Sequence, residues 1–232
     1  YWVSTTIVPF IDQDGKPFQY LAIRTEVTRL KKVEEELQQM MTKVMRIQEE
    51  ERKRISRELH DGLGQSMFSL LIQIDHLLGK QTSAELEQLR KQVSFIMEDI
   101  RELAWELRPS VLDDLGVVPA IRTYIENFSK YYGVQVDLES NLKGRHGIDK
   151  ETAIYRVIQE ALTNTAKYAD VAEAKVSIRE TETEIIVWIE DRGKGFTRES
   201  GRKGVGLFSM EERARAVEGK LDIYSMPGQG TK

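Results

Sequence analysis

The sequence contains no cysteine, which excludes disulfides, thiolate metal sites and cysteine nucleophiles. Its three histidines, His60, His76 and His146, are too few for a multi-histidine metal centre. There is no basic excess: 34 Lys and Arg stand against 38 Asp and Glu, a formal net charge of −4. A protein built to grip nucleic acid usually shows the opposite balance, so no direct nucleic-acid partner is expected. No apolar run approaches the roughly 20 residues of a membrane span. The chain opens at Tyr1 without an initiator methionine or a basic-then-apolar leader, so it reads as part of a longer protein. A membrane anchor would have to lie upstream.

What is present is ordinary for a soluble globular chain, with 40% hydrophobic and 31% charged residues. Its 232 residues suffice for two small domains, each with a core. Residues 1–28 are rich in β-branched and aromatic types, and Asp12-Gln13-Asp14-Gly15 is a hairpin turn signal between two strand-like runs. From Thr28 the period changes. Leu30, Val33, Leu37, Met40, Val44 and Ile47 recur in steps of three and four, a coiled-coil seam within residues 29–54. With no breaker before Gly62, one long helix is expected over about 29–78. A turn follows at 79–82, with Ser83 as N-cap. A second seam at Leu86, Leu89, Val93, Ile96, Ile100, Leu103 and Leu107 stops at Arg108-Pro109. The two helices form a hairpin that cannot bury both seams alone, so a homodimer with a four-helix bundle is expected, spanning residues 55–110.

Residues 111–232 mix both periods. Helices are expected at 118–131, 153–169 and 206–217. Strands are expected at 134–138, 174–178, 184–190 and 221–224. This pattern predicts an α/β sandwich with helices on one face of a mixed sheet, so the whole chain is α+β in class.

Three stretches carry chemistry. In Arg54-Ile55-Ser56-Arg57-Glu58-Leu59-His60-Asp61-Gly62-Leu63-Gly64-Gln65 the apolar face is Ile55, Leu59 and Leu63, which turns His60 toward solvent beside Asp61, with Gln65 one turn beyond. A carboxylate near Nδ1–H fixes the imidazole tautomer and accepts its proton as Nε2 attacks. A surface histidine beside an acid is common, so His60 alone establishes nothing. On the 153–169 helix, Glu160, Asn164 and Lys167 share one face, offering two oxygen ligands for a hard cation and an ammonium for phosphate. Polar residues on the outer face of an amphipathic helix are equally the commonest pattern. Third, a buried-strand run delivers Asp191 to its end, followed by Gly193, Gly195 and then Gly204-Val205-Gly206-Leu207. Glycines let backbone approach a ligand, a helix N-terminus receives phosphate, and Asp191 could accept from an adenine amino group. Glycine loops are individually weak signals.

Their order is the specific feature. Arg57-Glu58-Leu59-His60-Asp61 with Gln65 resembles the phosphoacceptor motif of the histidine kinase subfamily that pairs with helix-turn-helix response regulators of the NarL/LuxR type. The Asn164 helix resembles that family's N box, Asp191-Gly193-Gly195 its G1 box and Gly204-Gly206 its G2 box. Pro227-Gly228-Gln229-Gly230-Thr231 resembles the turn before the closing strand, where the threonine approaches the nucleotide. The likeness covers about residues 50–232, and residues 1–28 resemble the end of a PAS sensor domain.

The resemblance implies ATP and Mg2+ as cofactors and His60 as phosphoacceptor, with Asp61 as its base. It implies Asp61 and Gln65 as the pair placing water in a reverse phosphatase reaction. Asn164 would bind Mg2+, Glu160 would support the metal or its water, Lys167 would touch phosphate, and Asp191 would read adenine. It also implies a cytoplasmic location for this portion and a response regulator with a receiver domain as partner. Tyr168 departs from the histidine of many relatives, and the short stretch 196–203 implies a small ATP lid. With the sequence ending at Lys232, a partial closing strand is expected. Glu51 and Arg54, polar at seam positions just before His60, suggest a place where helix rotation changes access to it. Two further readings stay open: an ATPase of the related gyrase and chaperone class, and a dimeric signalling module whose nucleotide site is only structural.

Overall fold

The computed structural model describes residues 1–81, 83–197 and 204–232, with the side chains of Trp105 and Glu106 left aside. It divides into two compact units, Tyr1–Glu49 and Glu50–Lys232.

In the first unit, β1 (Val3–Ile11) and β2 (Pro17–Glu26) form an antiparallel hairpin in register from Val3↔Glu26. Asp12 makes the turn, its Oδ1 accepting from the Asp14 and Lys16 N–H groups at 3.0 and 2.8 Å. Gly15 supplies the positive φ of 77° that the reversal needs. Every strand residue is exposed on both faces. Helix α1 (Thr28–Arg57) follows, and Thr28 Oγ1 accepts from the Trp2 N–H at 3.0 Å. The predicted seam residues from Leu30 to Ile47 are all more than half exposed, an apolar stripe with no cover within this chain.

In the second unit, α1 does not run on as regular α-helix, as the sequence suggested. It widens into π-helical turns over Glu58–Gly64 before α2 (Gln65–Leu78) resumes. Gly62 and Gly64, lacking Cβ, lower the resistance to this change of pitch. One consequence is that Leu63, expected on the apolar face, is 48% exposed. Helix α3 (Ala84–Leu107) packs back on α2, with Ile74 and Val93 buried between them and Arg90 paired to Asp75 at 2.8 Å. Ser83 caps α3 as expected, accepting from the Leu86 N–H at 3.3 Å. The expected turn at 79–82 is described except for Thr82, which lies outside the described residues. The second seam splits: Val93 faces inward, while Leu89, Ile96 and Leu103, one heptad apart, stay exposed.

After Pro109 come a short helix the sequence did not announce, α4 (Ser110–Asp114), then α5 (Val117–Tyr132), β3 (Gln135–Ser140) and α6 (Ile148–Asn164). Helix α6 also ends in π-helical turns, Thr165–Ala169. β4 (Glu173–Glu180), β5 (Ile185–Asp191), α7 (Val205–Ala216), β6 (Ser225–Met226) and β7 (Gly230–Thr231) complete the chain. The five strands lie in the order β3-β4-β5-β7-β6, with β3 and β4 parallel and the other pairs antiparallel. Leu112, Ile121, Tyr155, Ile158, Leu162, Val176 and Ile178 are fully buried where α4, α5 and α6 cover one face of this sheet. Each apolar side chain so buried contributes about 1.5–3 kcal/mol.

The expected strand at 221–224 is not formed as such. Only Tyr224 exchanges backbone bonds, with Lys232 at 2.8 and 2.7 Å.

Candidate functional site

His60 stands in the π-helical turns at the junction of α1 and α2, with side-chain exposure of 68% for both His60 and Asp61. Its Nδ1 lies 3.0 Å from Asp61 Oδ1. With Nδ1 carrying the proton and donating to that carboxylate, Nε2 is the nitrogen left with a lone pair for chemistry. Gln65 opens α2 one turn on. Together with Phe68, Met97, Ile100 and Arg101, His60 and Gln65 line a shallow groove of about 190 Å³. One turn before, Arg54 forks between Glu51 and Glu58, with contacts of 2.5–2.9 Å. The hydrogen bond that Arg54 donates to Glu51 is the main reason the guanidinium is held even more firmly protonated than usual. All three are exposed, so this ladder fixes side-chain geometry more than stability.

A second, larger site lies between α6, the start of α7 and the ends of β5 and β7. It is an open cleft of about 1570 Å³, lined by Glu160, Asn164, Lys167, Tyr168, Asp191, Gly195, Gly204, Val205, Gly206, Leu207 and Thr231 among others. The structure thus brings these predicted residues to one cavity. Gly193 is the exception. A Cβ there would overlap the Ala169 carbonyl, so Gly193 lets the loop lie against the end of the Asn164 helix rather than facing the cavity. The same carbonyl accepts from the Lys194 N–H at 2.9 Å. Lys194 Nζ pairs with Asp170 at 2.8 Å and, chiefly through that hydrogen bond, holds the Asp170 carboxyl below the usual range.

Asp191 is buried to 8% exposure at the end of β5. Its Oδ1 accepts from the Gly193 N–H at 2.9 Å, and its Oδ2 accepts from Thr165 Oγ1 at 3.3 Å. A buried carboxylate needs such partners to keep its orientation. Sequence reading missed Thr165. Its position immediately after Asn164, on the turn that meets Asp191, was the available signal, but π-helical turns are not visible in a periodicity count. Ser225 was also missed. It accepts from the Phe196 N–H at 2.9 Å and lies 3.0 Å from the Thr231 hydroxyl, tying the loop after Asp191 to the β6–β7 turn. The expected lid at 196–203 falls mostly outside the described residues, at 198–203.

Asn164 turns its amide nitrogen toward Glu160 Oε1 at 3.4 Å, which leaves the amide oxygen able to ligate a cation. Among the described residues no group of three or more His, Asp and Glu could hold a metal unaided. The donor set is therefore one amide and one carboxylate oxygen. Such a set suits a Mg2+ that takes its remaining ligands from water and phosphate.

Residues 51–112 match the family described as histidine kinase. Residues 149–232 match the family of histidine kinase-, DNA gyrase B-, and HSP90-like ATPases. The chain is similar to the oxygen sensor histidine kinase NreB of Staphylococcus carnosus (strain TM300), 44% identical over 199 residues, which is 83% of this chain and 57% of that protein. The chain thus spans a little over half the length of that relative. Among solved structures it is similar to the histidine kinase domain of the Erythrobacter litoralis EL346 blue-light activated histidine kinase, with a TM-score of 0.45 and 15% identity over 72% of this chain and 91% of that one. It is also similar to the Acinetobacter baumannii histidine kinase AdeS, with a TM-score of 0.42 and 14% identity over 72% and 92% of the two chains. With a histidine kinase region and a histidine kinase-, gyrase- and HSP90-like ATPase region matched in this order along one chain, the protein belongs to the histidine kinase family.

Proposed function

We propose that the protein phosphorylates its own His60 from ATP and passes the phosphoryl group to an aspartate on the receiver domain of a response regulator with a helix-turn-helix output. The observation that carries this reading is the exposed His60–Asp61 pair at 3.0 Å, carried on the same chain as the Asn164–Asp191 cleft. His60 Nε2 attacks the γ-phosphorus in line, the N–P bond forms, and the bond to the ADP oxygen breaks. Asp61 takes the Nδ1 proton as positive charge develops on the ring. In the cleft, Asp191 faces the adenine amino group, Lys167 meets phosphate, Tyr168 packs at the rim, and Thr231 and the Gly204–Leu207 backbone border the phosphates. Asn164 and Glu160 would hold a Mg2+, which would supply positive charge beside the phosphate oxygens. The remaining residues position and exclude water rather than react.

The exposed heptad stripes at Leu30–Ile47 and at Leu89, Ile96 and Leu103 support a homodimer whose second copy covers them. The domain division 1–28, 29–54, 55–110 and 111–232 follows from the same reading, the first piece being the end of a PAS domain. Asp61 and Gln65, exposed on one turn, suit the placing of water for phosphatase action. Among the described residues no helix is long and apolar enough to cross a membrane. The test is incubation with γ-labelled ATP and Mg2+ beside His60→Gln. Label that is acid-labile, base-stable and absent from the variant supports the reading. Bound ATP with no label on the protein sinks it.

A further inference from the structure

The helix that carries His60 and the helix that carries Asn164 are joined by a chain of ion pairs and one hydrogen bond that turns on one carboxylate. Asp113, in α4, has Oδ2 at 2.6 Å from Lys53 Nζ and 3.6 Å from Arg57, both on α1. Its Oδ1 lies 2.8 Å from Arg108, whose side chain is only 5% exposed and whose guanidinium also reaches Thr152 Oγ1 on α6 at 3.3 Å. Two parallel ties run beside it. Buried Arg156 of α6 donates to the Leu107 carbonyl at 2.6 Å, and buried Ser56 of α1 lies within 2.8 Å of the Ala104 and Arg108 carbonyls. Arg145 adds a bond to the Asp113 carbonyl at 3.0 Å while its Nε meets buried Glu151.

The charges are uneven. Three cations converge on Asp113, so removing that carboxylate turns attraction into repulsion among Lys53, Arg57 and Arg108. Lys53 also lies seven residues ahead of His60 in the same helical rod, so rotation of α1 moves Lys53 relative to Asp113. The groove beside His60 and the nucleotide cleft share no lining residue among those described.

We propose that Asp113 is a positioning residue that docks the nucleotide-binding domain against the His60 helix in a held-off arrangement, and that breaking its contact with Lys53 releases the domain for transfer. The inference rests on the reading of the chain as a His60 autokinase. Docking is a balance between two arrangements, so weakening one favours the other. Asp113 touches neither nucleotide nor His60, so it acts on the rate of transfer and not on ATP affinity.

The experiment compares the full chain with Asp113→Asn, Asp113→Glu and Lys53→Gln, measuring initial His60 labelling at saturating Mg2+-ATP and the KM for ATP. Because the chain has no native cysteine, nitroxides on Ser69→Cys and Lys130→Cys report the distance between the two regions, with labelled chain diluted into unlabelled chain. Asp113→Asn and Lys53→Gln are expected to raise the labelling rate about fivefold, leave KM unchanged and broaden the distance distribution, while Asp113→Glu stays near wild type. Lys53 is 31% exposed, so Lys53→Gln remains informative if Asp113→Asn does not fold. An unchanged distance distribution, or a labelling rate that is unchanged or lower at unchanged KM, overturns the proposal. If the wild-type chain itself takes no label yet the distances broaden in the variants, the docking role stands and the autokinase reading falls.

Discussion

Gly206 and Glu160 meet so closely that a Cβ at position 206 would overlap Glu160 Oε1. The obstacle is the far end of a flexible side chain, so the carboxylate swings away at little cost to the fold. Gly206→Ala is therefore expected to keep a near-native Tm while displacing Glu160 from the proposed cation site, weakening Mg2+-ATP binding about tenfold. Calorimetric titration with and without Mg2+ measures this. Gly195 makes the contrast. At φ 56° its Cβ would overlap the Met226 carbonyl, which is backbone and cannot move aside. Gly195→Ala is expected to lower the melting temperature, with a cost on the order of 1–3 kcal/mol.

Asp61→Asn keeps the shape beside His60 but removes the proton acceptor. The expected result is a labelling rate lower by about 10²–10⁴-fold with ATP affinity unchanged, since general-base contributions are of that size. Single-turnover labelling alongside nucleotide titration separates the two effects.

Thr165→Val removes the hydroxyl that reaches Asp191 Oδ2 at 3.3 Å and leaves the volume nearly intact. Asp191 then keeps the Gly193 N–H but loses its second partner in a buried place. A stability loss of about 1–3 kcal/mol is expected, together with weaker binding of adenine nucleotides. Discrimination between ATP and GTP is the specific readout, because the carboxylate proposed to read adenine is the group disturbed.

Asp113 gives a pH signature. Burial pushes its carboxyl up, but the hydrogen bonds and charges of Lys53 and Arg108 outweigh this and leave it below the usual range. A lowered folded-state value means stability that is fully present above the unfolded carboxylate range, about pH 4, and lost as pH falls through the folded value. The difference in unfolding free energy between wild type and Asp113→Asn should be constant near neutrality and shrink below about pH 4. A difference that grew on acidification would contradict this sign.

The two apolar seams were legible because a period of three and four residues is a property of the sequence itself. The order His60, Asn164, Asp191, Gly204-Gly206 was legible because each motif is contiguous; the cleft gathers Asn164, Asp191, Gly204 and Gly206, while His60 lines a separate groove and Gly193 packs against Ala169. What stayed hidden depends on contacts distant in sequence or on departures from regular pitch. The π-helical turns at Glu58–Gly64 and Thr165–Ala169 leave no periodic mark. Thr165, Ser225, Ser56 and Asp113 gain their meaning from partners far off in sequence, Ser56 from Arg108 and Asp113 from Lys53. Leu221–Tyr224 alternates like a strand, yet a ladder needs a partner strand, and only Tyr224 has one in Lys232.

The central claim is that His60 itself receives the phosphoryl group. Peptide mapping by mass spectrometry, done at alkaline pH after incubation with Mg2+-ATP, tests it most directly. The account predicts one phosphoryl group on the peptide containing His60, and none on those containing His76 or His146. A phosphoryl group on another residue, or ATP turned over with the His60 peptide unmodified, would contradict it.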